Sequence, residues 1–277
     1  MADNQPDKNG DDTGAGENRG ISVLQNGISV LLSFSAEEPQ LGVTDIAARV
    51  GLHKSTVSRI LATLQQAGLV ERAEDSRRFQ LGLGVIAMAG PLLADLDVRR
   101  VAHPVLRELS RRTEETAALM LWNGSESVCV EQVPSRHEVK HTTPLGTRYN
   151  TAASSSVQVF LAQLPAYTAR ALLTNGTLVF PGLDDEALDA YLSRLGETHQ
   201  RGYATNYGET SLQEVGVAAP VFDHRGEVAA AVLASAPRFR VSPEQLPVLG
   251  EAVRAAADQV TRRLGGHGPG TLEDGPA

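Results

Sequence analysis

Residues 41–81 read LGVTDIAARVGLHKSTVSRILATLQQAGLVERAEDSRRFQL, and this stretch decides how the amino-terminal part of the chain folds. Val43, Ile46, Ala47 and Val50 stand at i, i+3, i+4 and i+7, which gathers them on one face of a helix. Gly51 follows, and a residue without Cβ takes the positive φ of a tight turn at little cost. Val57, Ile60, Leu61 and Leu64 repeat the apolar spacing in a second helix. Packing the two stripes together turns His53, Lys54, Ser55, Thr56, Ser58, Arg59 and Thr63 outward. A second helix whose free side is short, polar and cationic suits major-groove base edges and phosphates. The pair reads as a helix-turn-helix.

The apolar pattern alone would suit any two amphipathic helices joined by a glycine. The sequel narrows it. Ala67-Gly68 ends the second helix with a glycine cap, and Leu69–Arg72 and Phe79–Leu81 read as two short strands. Between them runs a turn that carries Arg77 and Arg78. A hairpin with Arg72, Arg77 and Arg78 beside a recognition helix reads as a wing, placed to lie on the DNA backbone or in the minor groove. From Gly51 to Gln80 five cations face three anions, a balance of +2, whereas the whole chain stands at −8. A chain that repels DNA globally and is positive here is expected to dock through this segment. A local balance this small points to affinity gained through dimerisation.

The 277 residues allow one or two domains, and a hydrophobic share of 42% suffices for a core. No apolar run approaches the roughly 20 residues that span a bilayer, so no membrane partner is expected. Residues 1–20 are polar and acidic, hold no charged-then-apolar leader, and read as a disordered tail. Cys129 is the only cysteine, which excludes an internal disulfide and fits a cytoplasmic location. It lies in Val128-Cys129-Val130 and reads as a core strand residue rather than a nucleophile.

Ile21–Phe34 carries Ile21, Leu24, Ile28, Leu31 and Leu32 at helical spacing and reads as the first helix. After the wing, Leu83–Leu96 is apolar nearly all round, and a helix without a polar face must be covered. The reading is a linker helix that pairs with its copy in a dimer; the alternative is packing on its own chain. Arg99–Thr113 reads as an amphipathic helix, followed by strands at Ala117–Trp122, Ser127–Val133 and Glu138–Thr143. Helices are expected at Ala152–Leu164, Ala166–Leu173 and Asp184–Gln200, and strands near Tyr203–Asn206, Val215–Phe222 and Glu227–Ser235. A helix over Leu246–Leu264 closes an α+β pattern of helices beside an antiparallel sheet.

The segments GLHKSTVSRILATLQQAGLV, LGLGVIAMA and RGYATNY…VAAPVFDHRGEVAAAVLASAP resemble the IclR family of bacterial transcriptional regulators, over nearly the whole chain from Gly20 to Leu264. The resemblance implies a winged helix-turn-helix and a GAF-like effector-binding domain. It also implies a homodimer or homotetramer that acts as a repressor or activator on a double-stranded, palindromic operator. The corresponding boundaries are an acidic tail (1–20), the DNA-binding domain (21–82), the linker helix (83–98), the effector domain (99–264) and a flexible tail (265–277). By position, the family's effector pocket, which often holds a small organic acid, falls on Tyr149, Ala153, Ser154, Asn206, Gly216, Leu233 and Ser235. Thr151–Ser156 opens a helix, whose free N–H groups favour a carboxylate, although the serines could equally cap that helix.

The chain departs from its relatives here. They usually show glycine-lysine-alanine at Ser155-Ser156-Val157, cysteine at Gly216, an acid at Asn206 and a serine at Leu233. Either the ligand differs from simple acids, aromatic effectors included, or the domain has lost ligand control. An enzyme is not expected. His103, His137, His141, His199 and His224 show no metal-ligand spacing, no nucleophile elbow or phosphate loop is present, and no cofactor or metal is expected.

Overall fold

The computed structural model describes residues 14–35, 37–74, 76–95 and 97–267, and the chain divides after Asp95 into two units. Residues 1–13 and 268–277, most of the two expected tails, lie outside the described residues.

In the first unit, α1 (Gly14–Leu32) begins seven residues before the expected Ile21, so 14–20 belong to a helix and not to a tail. Its inward face is also displaced from the expected stripe. Val30 and Phe34 are buried, while Leu24, Ile28 and Leu32 face solvent. α2 (Val43–Val50) buries Ile46 and Ala47, and α3 (Lys54–Gln66) buries Val57 and Leu61. Removing Ile46, Val57 and Leu61 from water stabilises by about 1.5–3 kcal/mol each. Gly51, at φ 67°, ends α2, and the amides of Gly51 and Leu52 both reach the Ala47 carbonyl. α3 ends at Ala67; Gly68 (φ 69°) donates to Gln65 O and Leu69 to Leu64 O, which closes the last turn. β1 (Val70–Arg72) and β2 (Phe79–Leu81) pair antiparallel, Arg72 opposite Phe79. Leu41 adds a third rung, exchanging both backbone bonds with Phe79. α4 (Gly84–Asp95) follows, with Leu83, Ile86 and Met88 62–77% exposed.

The second unit opens with α5 (Asp97–Thr113), whose Val105, Leu106 and Leu109 are buried as the spacing requires. Its strands are β3 (Thr116–Trp122), β4 (Ser127–Val133), β5 (Arg148–Tyr149), β6 (Ala204–Tyr207), β7 (Glu214–Phe222) and β8 (Val228–Pro237). They form one antiparallel sheet in the order β5-β4-β3-β8-β7-β6. The expected strand at Glu138–Thr143 is absent. That segment is an irregular connection, and the third strand in sequence is β5. The helix expected over Ala152–Leu164 is shorter, α6 (Ser155–Leu161), because Ala152 donates to Val179 O instead of entering a helical turn. α7 (Ala166–Thr174), α8 (Asp185–Arg201) and α9 (Leu246–Arg263) complete the unit. Asp184 caps α8 by accepting from the Ala187 amide.

Alternation along the strands sends Ala117, Leu119, Val217 and Val232 to α5 and α9, and Ala118, Met120, Cys129, Ala218 and Leu233 to Val159 and Phe160 of α6. Gly265 and Gly266, placed in a flexible tail by sequence, instead close α9: their amides reach Arg262 O and Thr261 O.

Candidate nucleic-acid interface and ligand site

With its apolar stripe sealed against α1 and α2, α3 offers mostly polar side chains outward. His53, Lys54, Ser55, Thr56, Ser58, Arg59 and Thr63 are all exposed, as are Arg72, Arg77 and Arg78 on the wing. Among the described residues nothing pairs with the side chains of Lys54 or Arg59, so both keep their donors for a ligand. Two wing arginines are anchored: Arg72 lies 4.9 Å over the Phe79 ring, and Arg78 Nη1 donates to Gln40 O at 3.0 Å. Gln40 also donates to Gln80, and Gln80 to Glu71, a chain of contacts across the wing face that the sequence did not suggest. Glycine rather than side-chain packing sets the wing root. The amide of Gly82 donates to Leu69 O and that of Gly84 to Gly68 O, so the backbone after β2 runs directly against the end of α3.

In the second unit the register gathers part of the position-based set. Asn206, Gly216, Ser235 and Thr116 form one row across β6, β7, β8 and β3, with Leu233 next along the same face. The row faces the start of α6: a Cβ added to Gly216 would stand 2.9 Å from Ser155 Oγ. The missing side chain is the room that Ser155 occupies. Ser154 is the N-cap residue of α6, but its hydroxyl makes no cap bond; it lies 3.1 Å from Ser156 Oγ, buried with it. Ala153 is half-buried and its carbonyl accepts from Gln158 Nε2. Tyr149 stands apart on the edge strand β5, reached through Thr143, which lies 3.4 Å from Ser235 Oγ. Burial pushes its phenol up to about 12, and Glu214 adds to the effect. Burial likewise holds the Cys129 thiol near 12, so it is protonated at neutral pH and unsuited to nucleophilic attack.

Asn206 is committed elsewhere than expected. Its Oδ1 accepts from the amides of Glu209 (2.8 Å) and Thr210 (3.4 Å), and its Nδ2 donates to Thr210 Oγ1. Thr210 Oγ1 donates in turn to Glu214, whose other oxygen lies 3.3 Å from His141 Nε2. The amide therefore clamps the β6–β7 turn. Asn206→Ala is expected to cost about 1–2 kcal/mol, because it leaves two part-buried amides without their acceptor. Thermal denaturation measures this, and an unchanged Tm would mean that the turn is ordered by other contacts. Sequence reasoning missed Thr143, His141, Thr210 and Glu214; an acid opening an otherwise apolar strand was the available signal. His137 and His141 face different carboxylates, Glu114 and Glu214. Among the described residues no three His, Cys, Asp or Glu stand close enough to hold a metal ion.

The chain matches two family models, the IclR helix-turn-helix domain over residues 23–74 and the bacterial transcriptional regulator IclR C-terminal domain over 91–262. It is 30% identical over 254 residues to the HTH-type transcriptional regulator KipR of Bacillus subtilis (strain 168), covering 90% of this chain and 99% of that one. It is 28% identical over 257 residues to the transcriptional repressor IclR of Escherichia coli (strain K12), covering 89% and 91%. A solved domain described as an IclR-family transcriptional regulator is 61% identical with a TM-score of 0.61, covering 62% of this chain and 99% of that one. The fold also matches an IclR homolog from Microbacterium hydrocarbonoxydans complexed with 4-hydroxybenzoate, at 24% identity and a TM-score of 0.73, over 87% and 98%. With a helix-turn-helix at one end and an α+β domain at the other, each matching its own family model, this chain belongs to the IclR family of transcriptional regulators.

Proposed function

We propose that the chain binds a palindromic operator as a homodimer or homotetramer. In this reading α3 lies in the major groove and the wing lies on the flanking backbone. The observation that carries it is the complete exposure of the polar face of α3 while its opposite face is buried. Lys54, Ser55, Ser58 and Arg59 reach base edges; His53, Thr56, Thr63, Arg72, Arg77 and Arg78 hold phosphates, aided by the amides at the α3 N-terminus. The apolar side chains left exposed at Leu83, just before α4, and at Ile86 and Met88 on it support self-association, since a monomer gains nothing from leaving them in water. Among the described residues no helix is long and apolar enough to cross a membrane.

Sequencing the fragments that the purified protein retains from its own genome tests the first part. The expected product is a short inverted repeat. Binding of that fragment should weaken with salt, with a log–log slope near −0.9 per phosphate contacted on each bound duplex. A slope near zero would rule out the basic face as the grip. Sedimentation velocity gives the oligomeric state, expected to be dimer or larger.

In the second unit the row of Asn206, Gly216 and Ser235, with Leu233, Ala153, Ser154 and Tyr149 about it, is the place that would take a small organic acid or aromatic effector. That ligand shifts the assembly between arrangements with different DNA affinity. The 4-hydroxybenzoate bound by the Microbacterium homolog is a starting probe. A second reading has a specific observation in its favour: Asn206, Ser154, Ser156 and Thr143 already find partners within the protein. On that reading the domain serves assembly alone. Thermal shift against small acids separates the two, since a ligand at 100 times its Kd stabilises by about 2.7 kcal/mol. Neither reading gives the protein an enzymatic role.

A further inference from the structure

Residues 134–147 join β4 to β5 without a strand of their own and cross one end of the sheet on the side that carries α6. Their attachments there are polar. The amide of Ser135 donates to Thr116 Oγ1 (3.1 Å), which donates to His141 O (2.6 Å). The amide of Thr143 donates to Gln132 Oε1 (2.5 Å), and its hydroxyl lies 3.4 Å from Ser235 Oγ. Arg240 Nη1 donates to Val139 O (3.1 Å). The large apolar residues of the segment do not hold it down, since Val139 and Leu145 are 62% and 57% exposed. A segment kept in place by polar bonds at a solvated edge, with little buried apolar area, opens at low free energy.

The attachment that reaches furthest across the sheet is His141 Nε2, 3.3 Å from Glu214 Oε1 at the start of β7. Glu214 Oε2 accepts from Thr210, whose hydroxyl is fixed by Asn206. The pair thus ties the crossing segment to the β6–β7 turn on the far rim of the Gly216–Ser235 row. We propose that residues 136–147 form a strap that opens as a unit, and that His141 and Glu214 are its catch. That opening admits an effector rests on the ligand reading above; the catch itself does not.

The chain supplies its own reporter. Cys129 is the sole cysteine and is 1% exposed. Its Sγ donates to Thr143 O at 3.1 Å, and its backbone pairs with Gly146 N and Thr147 O. The strap is therefore what covers the thiol on this edge. The experiment is iodoacetamide labelling of the full chain at one fixed pH without any ligand, followed by intact mass. His141→Ala and Glu214→Gln are each expected to label several-fold faster than the parent, up to about tenfold, the scale of one lost polar contact. The double variant is expected to be no faster than the faster single one, since both remove the same link.

Parent-like labelling in both variants would overturn the proposal. So would rates that follow global unfolding, seen as a strong denaturant dependence below the transition. If His141→Ala disturbs folding, the isosteric Glu214→Gln carries the test. Faster labelling together with no thermal shift from small acids, 4-hydroxybenzoate included, would keep the catch and discard the effector reading.

Discussion

Replacing Arg59 by alanine should lower operator affinity about 10- to 100-fold, the size of one lost base contact of about 1–3 kcal/mol. Arg59 is exposed on α3 with no partner among the described residues, so the substitution removes a contact to DNA and little else. Alanine is also the better helix former, which keeps stability within about 0.5 kcal/mol of the parent. The loss should be confined to the specific site: competition against random duplex would fall with it, because that competition reports base reading. Arg78→Ala should behave differently. That side chain is held by Gln40 O and is proposed to contact the DNA backbone, so its loss should weaken specific and random DNA alike and flatten the salt slope by about one. Titration of labelled operator at two salt concentrations distinguishes them. An Arg59→Ala protein with parental affinity would remove α3 from the interface.

The second large effect concerns the glycines after the wing. A methyl group on Gly84 would stand 2.5 Å from Gly68 O, and one on Gly82 would stand closer still. The obstacle is backbone rather than the end of a flexible side chain, so the chain must part. Gly84→Ala is expected to cost about 3 kcal/mol, the upper end for overpacking, with loss of the hydrogen bond that the Gly84 amide donates to Gly68 O. Gly27→Ala supplies the contrast. That glycine sits inside α1 with nothing within 4 Å of an added Cβ, and the same change should stabilise by up to about 1 kcal/mol. Denaturant midpoints at constant slope measure both. Equal effects of the same sign would show that space at these positions does not govern stability.

The DNA-reading half was legible because its signals are local. The i, i+3, i+4 spacing and two glycine turns within forty residues state their own geometry, and Val57 and Leu61 are buried where the spacing put them. Periodicity failed on α1, where Leu24 and Ile28 stand in solvent while Val30 and Phe34 are buried. Spacing says that residues share a face, not that the face meets this chain. Glu138–Thr143 alternates like a strand yet lacks a ladder, since pairing is a long-range property that the sequence does not carry. The same holds for the candidate ligand site. Its set was placed by family position; Asn206, Gly216 and Ser235 do fall in one row. Asn206, however, spends its amide on a turn, because Thr210 and Glu209 lie within reach only once the hairpin forms.

The shared carbonyls at the end of α3 bear on how such a regulator changes state. Gly84 at the start of α4 and Gly82 at the exit of the wing both hang from residues 68 and 69. A torque applied to α4 is thus delivered to α3 and the wing together, as to one rigid key. In the proposed dimer, a signal arriving by that route would alter how far apart two such keys stand, and leave untouched the letters that each one fits.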